Sequence, residues 1–129
     1  SGYLHLGEKL LIEENKFSVA WNFGPSKVEG ISVRYLAGKF NDIWGGKNTI
    51  KIKHIKNPKI ESTLLQLDIS KSNNLLKWYP VWDSDKTIIN TAEWYKTYYD
   101  NSIDMFKFSE MQIENYVKDA TLKNLAWTK

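Results

Sequence analysis

The spacing of apolar residues changes period several times along this chain, and each change predicts an element. Tyr3, Leu4, Leu10 and Leu11 stand among Glu8, Lys9, Glu13 and Glu14, which predicts an amphipathic helix over residues 2–14. Val19-Ala20-Trp21-Asn22-Phe23 then alternates with the period of a strand, and Gly24-Pro25-Ser26 stops it. From Ile31 to Trp44, the positions Val33, Leu36, Ala37, Phe40, Ile43 and Trp44 fit the i, i+3, i+4, i+7 template of a helix, with Gly45-Gly46 as its stop. Ile50, Ile52 and either His54 or Ile55 alternate with Lys51, Lys53 and Lys56, the pattern of a half-buried strand with a basic outer face.

The second half reads as helices joined by turns. Leu64-Leu65-Gln66-Leu67 is a short strand or extended segment, after which Asp68 or Ser70 accepts hydrogen bonds from the free N–H groups opening a helix that ends before Pro80. A longer helix follows Trp82 with Asp83 or Ser84 as its cap, and it is expected to bury Ile88, Ala92, Tyr95 and Tyr99. Ser109-Glu110-Met111-Gln112 has the S-x-x-Q form of a capping box, which predicts one more helix with Ile113, Tyr116 and Val117 as its apolar face. Residues 121–129 have no clear packing partner. The expected architecture is α+β, mainly helical with small strand pairs, in one domain spanning 1–129 whose helical tail is 101–129. No repeat, biased segment or long linker divides it.

Composition narrows the class. At 129 residues and 42% hydrophobic, the chain can build one core but cannot hold a dinucleotide domain and a substrate domain together. Its 18 Lys and Arg against 15 Asp and Glu leave a net charge of +3, too small to decide a partner. Cys is absent, which removes disulfides, thiolate zinc sites and a cysteine nucleophile and leaves the cytoplasm as the simplest location. No apolar run approaches the roughly 18 residues of a membrane span, and Ser1-Gly2-Tyr3-Leu4-His5 lacks a signal-peptide pattern. The absence of an initiator Met, with a helix predicted almost from Ser1, leads us to expect a boundary inside a longer protein.

Few residues suggest chemistry. Tyr35-Leu36-Ala37-Gly38-Lys39 has Tyr-x-x-x-Lys spacing, in which a Lys lowers a phenol pKa for acid or base work. The apolar stripe through Val33, Leu36 and Phe40 places Tyr35 and Lys39 on the helix flank, so we read them as a decoy. No G-x-G-x-x-G or close variant exists, and Gly45-Gly46 follows a helix instead of opening one, the wrong context for a phosphate cradle. His5 and His54 are the only imidazoles and lack the partners of a zinc site or a Ser-His-Asp triad. The 6 Trp, 7 Tyr and 5 Phe fall mostly on predicted inward faces, and with no basic-aromatic motif they do not indicate nucleic-acid binding.

A resemblance adds what the residues alone do not give. Leu67-Asp68-Ile69-Ser70-Lys71 with Trp78-Tyr79-Pro80 and Glu93-Trp94-Tyr95 resembles the substrate domain of extended short-chain dehydrogenase/reductases. Ser1-Gly2-Tyr3-Leu4 with Gly7-Glu8-Lys9-Leu10, the run Ala20-Trp21-Asn22-Phe23-Gly24-Pro25, and Phe108-Ser109 with Gln112-Ile113 and Tyr116 make it similar to the CDP-glucose 4,6-dehydratases within that group. The resemblance implies a nucleotide-sugar-binding domain of an NAD-dependent lyase that makes CDP-4-keto-6-deoxyglucose for polysaccharide biosynthesis. NAD and the catalytic Tyr and Lys would belong to a Rossmann half absent from this chain, which would bind a CDP-sugar and pack on that half within a homo-oligomer. A chain that keeps the fold but serves as a stand-alone protein-interaction module is the alternative.

The same resemblance places a His-Glu-Ala segment of the family on Ile60-Glu61-Ser62, so Glu61 is the candidate acceptor for a ribose diol, or else a solvated loop acid. Ile60 departs from the family's His, and Lys59 is the candidate substitute as a point charge toward phosphate, without the bidentate geometry of Arg. Asp68 and Lys71 read as a capping and helix-start pair, and Trp78, Pro80, Trp82, Trp94 and Tyr95 as packing. Lys77 stands where relatives carry a Gly that permits a left-handed helix end, so we expect strain there.

Overall fold

The computed structural model describes residues 1–26, 31–45, 67–101 and 103–128. Within them the chain forms helices α1 (Gly2–Ile12), α2 (Glu14–Phe17), α3 (Val33–Trp44), α4 (Ser70–Leu75), α5 (Ser84–Asp100) and α6 (Met105–Leu122), followed by a 3₁₀ turn at Ala126–Thr128. None of these helices is long and apolar enough to cross a membrane.

The helix ends follow from short polar side chains. Ser32 accepts a hydrogen bond from the Tyr35 N–H at 3.1 Å to open α3, and Gly45 closes it at φ 112°. Asp83 caps α5 by accepting from the Lys86 N–H at 2.7 Å, and Asn101 ends that helix in the left-handed region at φ 48°. The expected start of the last helix at Ser109 is corrected: Asp104 is the cap and Met105 the first helical residue. Ser109 lies in the second turn, where its hydroxyl donates to the Met105 carbonyl and accepts from the Trp94 indole. An Asp side chain satisfies the free N–H groups at least as well as a Ser, so the earlier cap prevails.

The α+β expectation is also corrected, because no strand occurs among the described residues. Val19–Phe23 has a bend at Val19 and no regular structure after it, and the Ala20 and Asn22 carbonyls are taken by side chains. Lys71 Nζ donates to Ala20 O at 2.9 Å, and Ser72 Oγ donates to Asn22 O at 2.5 Å. A period-two pattern therefore arises from a segment that seats alternate rings, Trp21 on Phe17 and Phe23 on Trp78, without a ladder. The expected strand around Ile50–Ile55 lies outside the described residues, as does all of Leu64–Leu67 except Leu67, which is not in a strand.

Packing divides into two regions. Phe17, Ile69, Leu76 and Trp78 are buried together, with Leu6, Leu10, Trp21 and Phe23 around them, which gathers α1, α2, α4 and the 20–25 segment. In the other region α5 lies between α3 and α6, with Ile88 and Ala92 buried on α5 and Ala120 on α6. Gln112 of α6 donates to the Asn90 carbonyl of α5, and Lys96 of α5 donates to the Ile43 carbonyl near the end of α3. The expectation that Tyr95 and Tyr99 join the core fails. Both stay exposed: Tyr95 stands edge-on to Trp94, while Tyr99 stands edge-on to Tyr98 and its ring centre is 6.0 Å from that of Trp44 on α3.

Candidate functional site

Two of the segments that carried the family resemblance, 20–25 and 68–82, are fastened to one another. Asp68 opens α4 by accepting from the Ser70 N–H at 2.9 Å, while its carbonyl accepts from Asn22 Nδ2 at 3.2 Å. Lys71, besides bonding Ala20 O, places its ammonium 4.6 Å from the centre of the Trp21 ring. Ser72 is fully buried and spends its hydroxyl on Asn22 O. The Asp-x-Ser-Lys and Trp-Asn-Phe-Gly-Pro runs are thus bonded to each other: Asp68 stands one residue before the N-cap position, which is Ile69, and accepts from the first helical N–H, while Lys71 is the clamp.

The turn that ends α4 has the conformation expected from its sequence. Lys77 adopts φ 55°, and the Trp78 N–H beyond it returns to the Ser72 carbonyl at 3.1 Å. This brings Trp78 into the core, where its indole N–H donates to Ser1 Oγ at 3.0 Å. Trp82, four residues on, donates to Asp119 Oδ2 at 2.6 Å, and Lys86 Nζ reaches the same oxygen at 2.6 Å. The Lys86 hydrogen bond first, and the Trp82 indole second, hold the Asp119 carboxyl below the usual range. These contacts make Trp78 and Trp82 joints between elements.

A cleft of about 590 Å³ opens between α1 and α6, within the range that holds small molecules or a partner's side chains. Leu4, Ile113 and Val117 form its aliphatic walls, with Trp82, Tyr116 and Trp127 as its rings. His5 borders it with its Nε2 donating to the Leu76 carbonyl at 2.9 Å, which leaves Nδ1 3.8 Å from Glu8 Oε2. Tyr116 and Ser1 share a hydrogen bond of 2.5 Å. Residues 121–129 had no packing partner legible in the sequence, yet Trp127 stacks at 16° on Tyr116 and lines this cleft. No periodic signal links positions 116 and 127, so only the turn after α6 reveals the pair.

The residues singled out from the sequence are not brought to this cleft as a set. Lys59, Glu61 and Ile60 lie outside the described residues, as does His54. His5 is occupied as described, and no group of three His, Cys, Asp or Glu suited to a metal occurs among the described residues. Tyr35 donates its phenol proton to Asp85 Oδ1 at 2.6 Å, and Lys39 sits 3.7 Å from Asp85 Oδ2. The Tyr35 side chain first, then Asp85, raise the Lys39 ammonium above its ordinary value. The pair is therefore a tie between α3 and α5. Gly45 N–H returns to the Asn41 and Asp42 carbonyls, and the space beside Gly2 at the start of α1 is filled by the Phe23 ring.

Comparison with known proteins agrees with the motifs. No protein-family model matches the chain. CDP-glucose 4,6-dehydratase of Salmonella typhimurium is 31% identical over 121 residues, a match covering 94% of this chain and 33% of that protein. The chain thus spans about a third of the length of that relative. From end to end of its fastened motifs, this chain is similar to one third of a CDP-glucose 4,6-dehydratase.

Proposed function

We propose that the chain is the substrate-binding part of a CDP-glucose 4,6-dehydratase-like enzyme, inactive by itself. The observation that carries this is the match over nearly the whole chain to a protein named for that reaction. In the proposed parent, the remaining portion binds NAD, which takes up the hydride from C4 of the hexose and returns it to C6 after water is lost across C5 and C6. This chain's part is to hold the CDP-sugar, orient it and exclude water, contributions that lower a barrier without any reacting group. The product, CDP-4-keto-6-deoxyglucose, would supply deoxysugar and polysaccharide assembly in the cytoplasm, and the parent would be a homo-oligomer.

Lys59 and Glu61 are the proposed ligand contacts, with Glu61 accepting from the ribose diol and Lys59 facing the diphosphate. The clamp at Asp68, Lys71 and Ser72 supports this reading because it gives the segment running into Asp68 a fixed end against α4 and the 20–25 segment.

Titration calorimetry with CDP-glucose tests the assignment. Glu61→Gln should weaken binding about tenfold, the lower end of what a hydrogen bond to a charged group contributes. Lys59→Ala should weaken it to a similar extent and lessen its salt dependence. Wild-type affinity in both variants, or tight NAD binding by this chain alone, would contradict the proposal.

A further inference from the structure

A second, smaller groove of about 280 Å³ lies between α5 and α6, lined by Trp82, Asn90, Thr91, Trp94, Tyr95 and Gln112. On α5, Asn90 and Trp94 are four residues apart, as are Thr91 and Tyr95, so the four form two neighbouring rows along one side of the helix. Gln112 closes the groove from α6, where its Nε2 donates to the Asn90 carbonyl at 2.9 Å. No lining residue is charged, and Lys86, which lies over the Trp82 ring, is paired with Asp119 at 2.6 Å.

The hydrogen-bonding groups of the groove are partly committed to the fold. Trp82 and Trp94 give their indole protons to Asp119 and Ser109, Asn90 Nδ2 donates to the Lys86 carbonyl, and Thr91 Oγ1 donates to the Thr87 carbonyl. What stays open is the acceptor side of Asn90, Gln112 and Thr91, with one further N–H on each amide. The rings are similarly divided. Tyr98 stacks on Trp94 at 5°, whereas Tyr95 meets only the Trp94 ring, edge-on at 84°, and is 47% exposed.

We infer that this groove binds a neutral pyranose sugar, with Tyr95 against a C–H face of the sugar and Asn90, Thr91 and Gln112 on its hydroxyls. A hydroxyl both donates and accepts, which matches amides that offer an oxygen and an N–H side by side. The negative face of an aromatic ring attracts the weakly positive C–H groups on one side of a pyranose. The open groups stand on two helices, so the ligand presents hydrogen-bonding groups on more than one edge. A nucleobase, with its donors along a single edge, meets only one wall. The volume is just below the roughly 300 Å³ at which small-molecule pockets begin, which suits a single ring. Nothing in the groove pairs with a diphosphate, so the inference does not rest on the reading given under Proposed function.

Saturation-transfer NMR on this chain tests it, with the methyl glycosides of glucose, galactose and mannose as probes and cyclohexanol and cytidine as comparisons. At least one glycoside should give saturable transfer that is greater at its ring C–H protons than at its methyl group. Tyr95→Ala should weaken that binding roughly fivefold, within what one ring contact contributes. Gln112→Met should weaken it by a similar factor, and Tyr95→Phe and Tyr99→Ala should preserve it. Tyr95 and Tyr99 are exposed, so their variants should keep the helical circular dichroism of the parent chain. Four results would overturn the inference: no saturable transfer to any glycoside, binding indifferent to Tyr95→Ala, a loss as large in Tyr95→Phe as in Tyr95→Ala, or tighter binding of a comparison compound than of every glycoside. In the last case cyclohexanol would make the groove merely apolar, and cytidine would make its occupant a base.

Discussion

Lys77 is one residue where a side chain opposes the backbone it sits on. Its φ of 55° falls in the left-handed region, which costs an L-residue with a Cβ roughly 1–2 kcal/mol relative to its right-handed conformation. Glycine escapes that cost but loses about 0.5–1 kcal/mol through the greater freedom of its unfolded chain. Lys77→Gly should therefore stabilise the protein by about 0.5–1 kcal/mol, read as a higher denaturant midpoint with an unchanged slope. The strain was legible through the resemblance, which places at position 77 a Gly that permits a left-handed helix end. Asp119 offers a second test at this scale. Its folded-state pKa is depressed, chiefly by Lys86 and then by Trp82, so its contribution is complete above the unperturbed value of about 3.9. That contribution disappears as pH falls through the lower folded-state value. Asp119→Asn should lower the melting temperature near pH 7, and the difference from wild type should shrink steadily on acidification below pH 4.

Among the elements, α3 was the most readable, because its apolar stripe and its Gly45 stop agree. Elements whose ends depend on competition were less readable. Asp104 and Ser109 both offer caps for α6, and nothing local in the sequence ranks them until Trp94 is seen to occupy the Ser109 hydroxyl. The strand expected over Val19–Phe23 was misread for a different reason. Alternation predicts an extended backbone and says nothing about what satisfies its carbonyls, which here are Lys71 and Ser72 of α4. Ser72→Ala should test that junction. It leaves a carbonyl without its buried donor and should destabilise by about 1–3 kcal/mol. Lys71→Met, which keeps the stem over Trp21 but loses the donor at an exposed position, should cost less than Ser72→Ala in the same melts. Equal losses would place the strength of the junction in its charge and not in its burial.

For the molecule as a whole, the described fold joins two helical clusters whose apolar residues are divided between inside and outside. The sequence disclosed which residues are apolar but not this division. Leu4, Leu10 and Leu11 read as one stripe, and only packing shows Leu10 inward and the other two outward. The candidate ligand residues Lys59 and Glu61 were legible only through resemblance, since a single acid and a single base carry no periodic signal of their own. The exposed apolar surface leads to a whole-molecule expectation. The isolated chain should bind an environment-sensitive apolar dye at neutral pH with its helical dichroism intact, and Leu4→Glu with Ile113→Glu should reduce that binding several-fold. A dye signal that persists in the double variant would locate the accessible surface elsewhere, with the exposed Tyr95, Tyr98 and Tyr99 of α5 as the next place to look.

The indole hydrogen bonds described above have a further use. Trp21 donates to the Phe17 carbonyl, Trp78 to Ser1, Trp82 to Asp119 and Trp94 to Ser109, so four ring protons each mark a different seam of the molecule. In an isotope-labelled sample these four appear in an uncrowded corner of the proton–nitrogen spectrum. Titrating a nucleotide sugar would then show which seam feels it, and a shift confined to Trp21 would point to the clamp that leads into Lys59 and Glu61. Four native nuclei already report from four joints, so the ligand question can be asked of the unmodified chain.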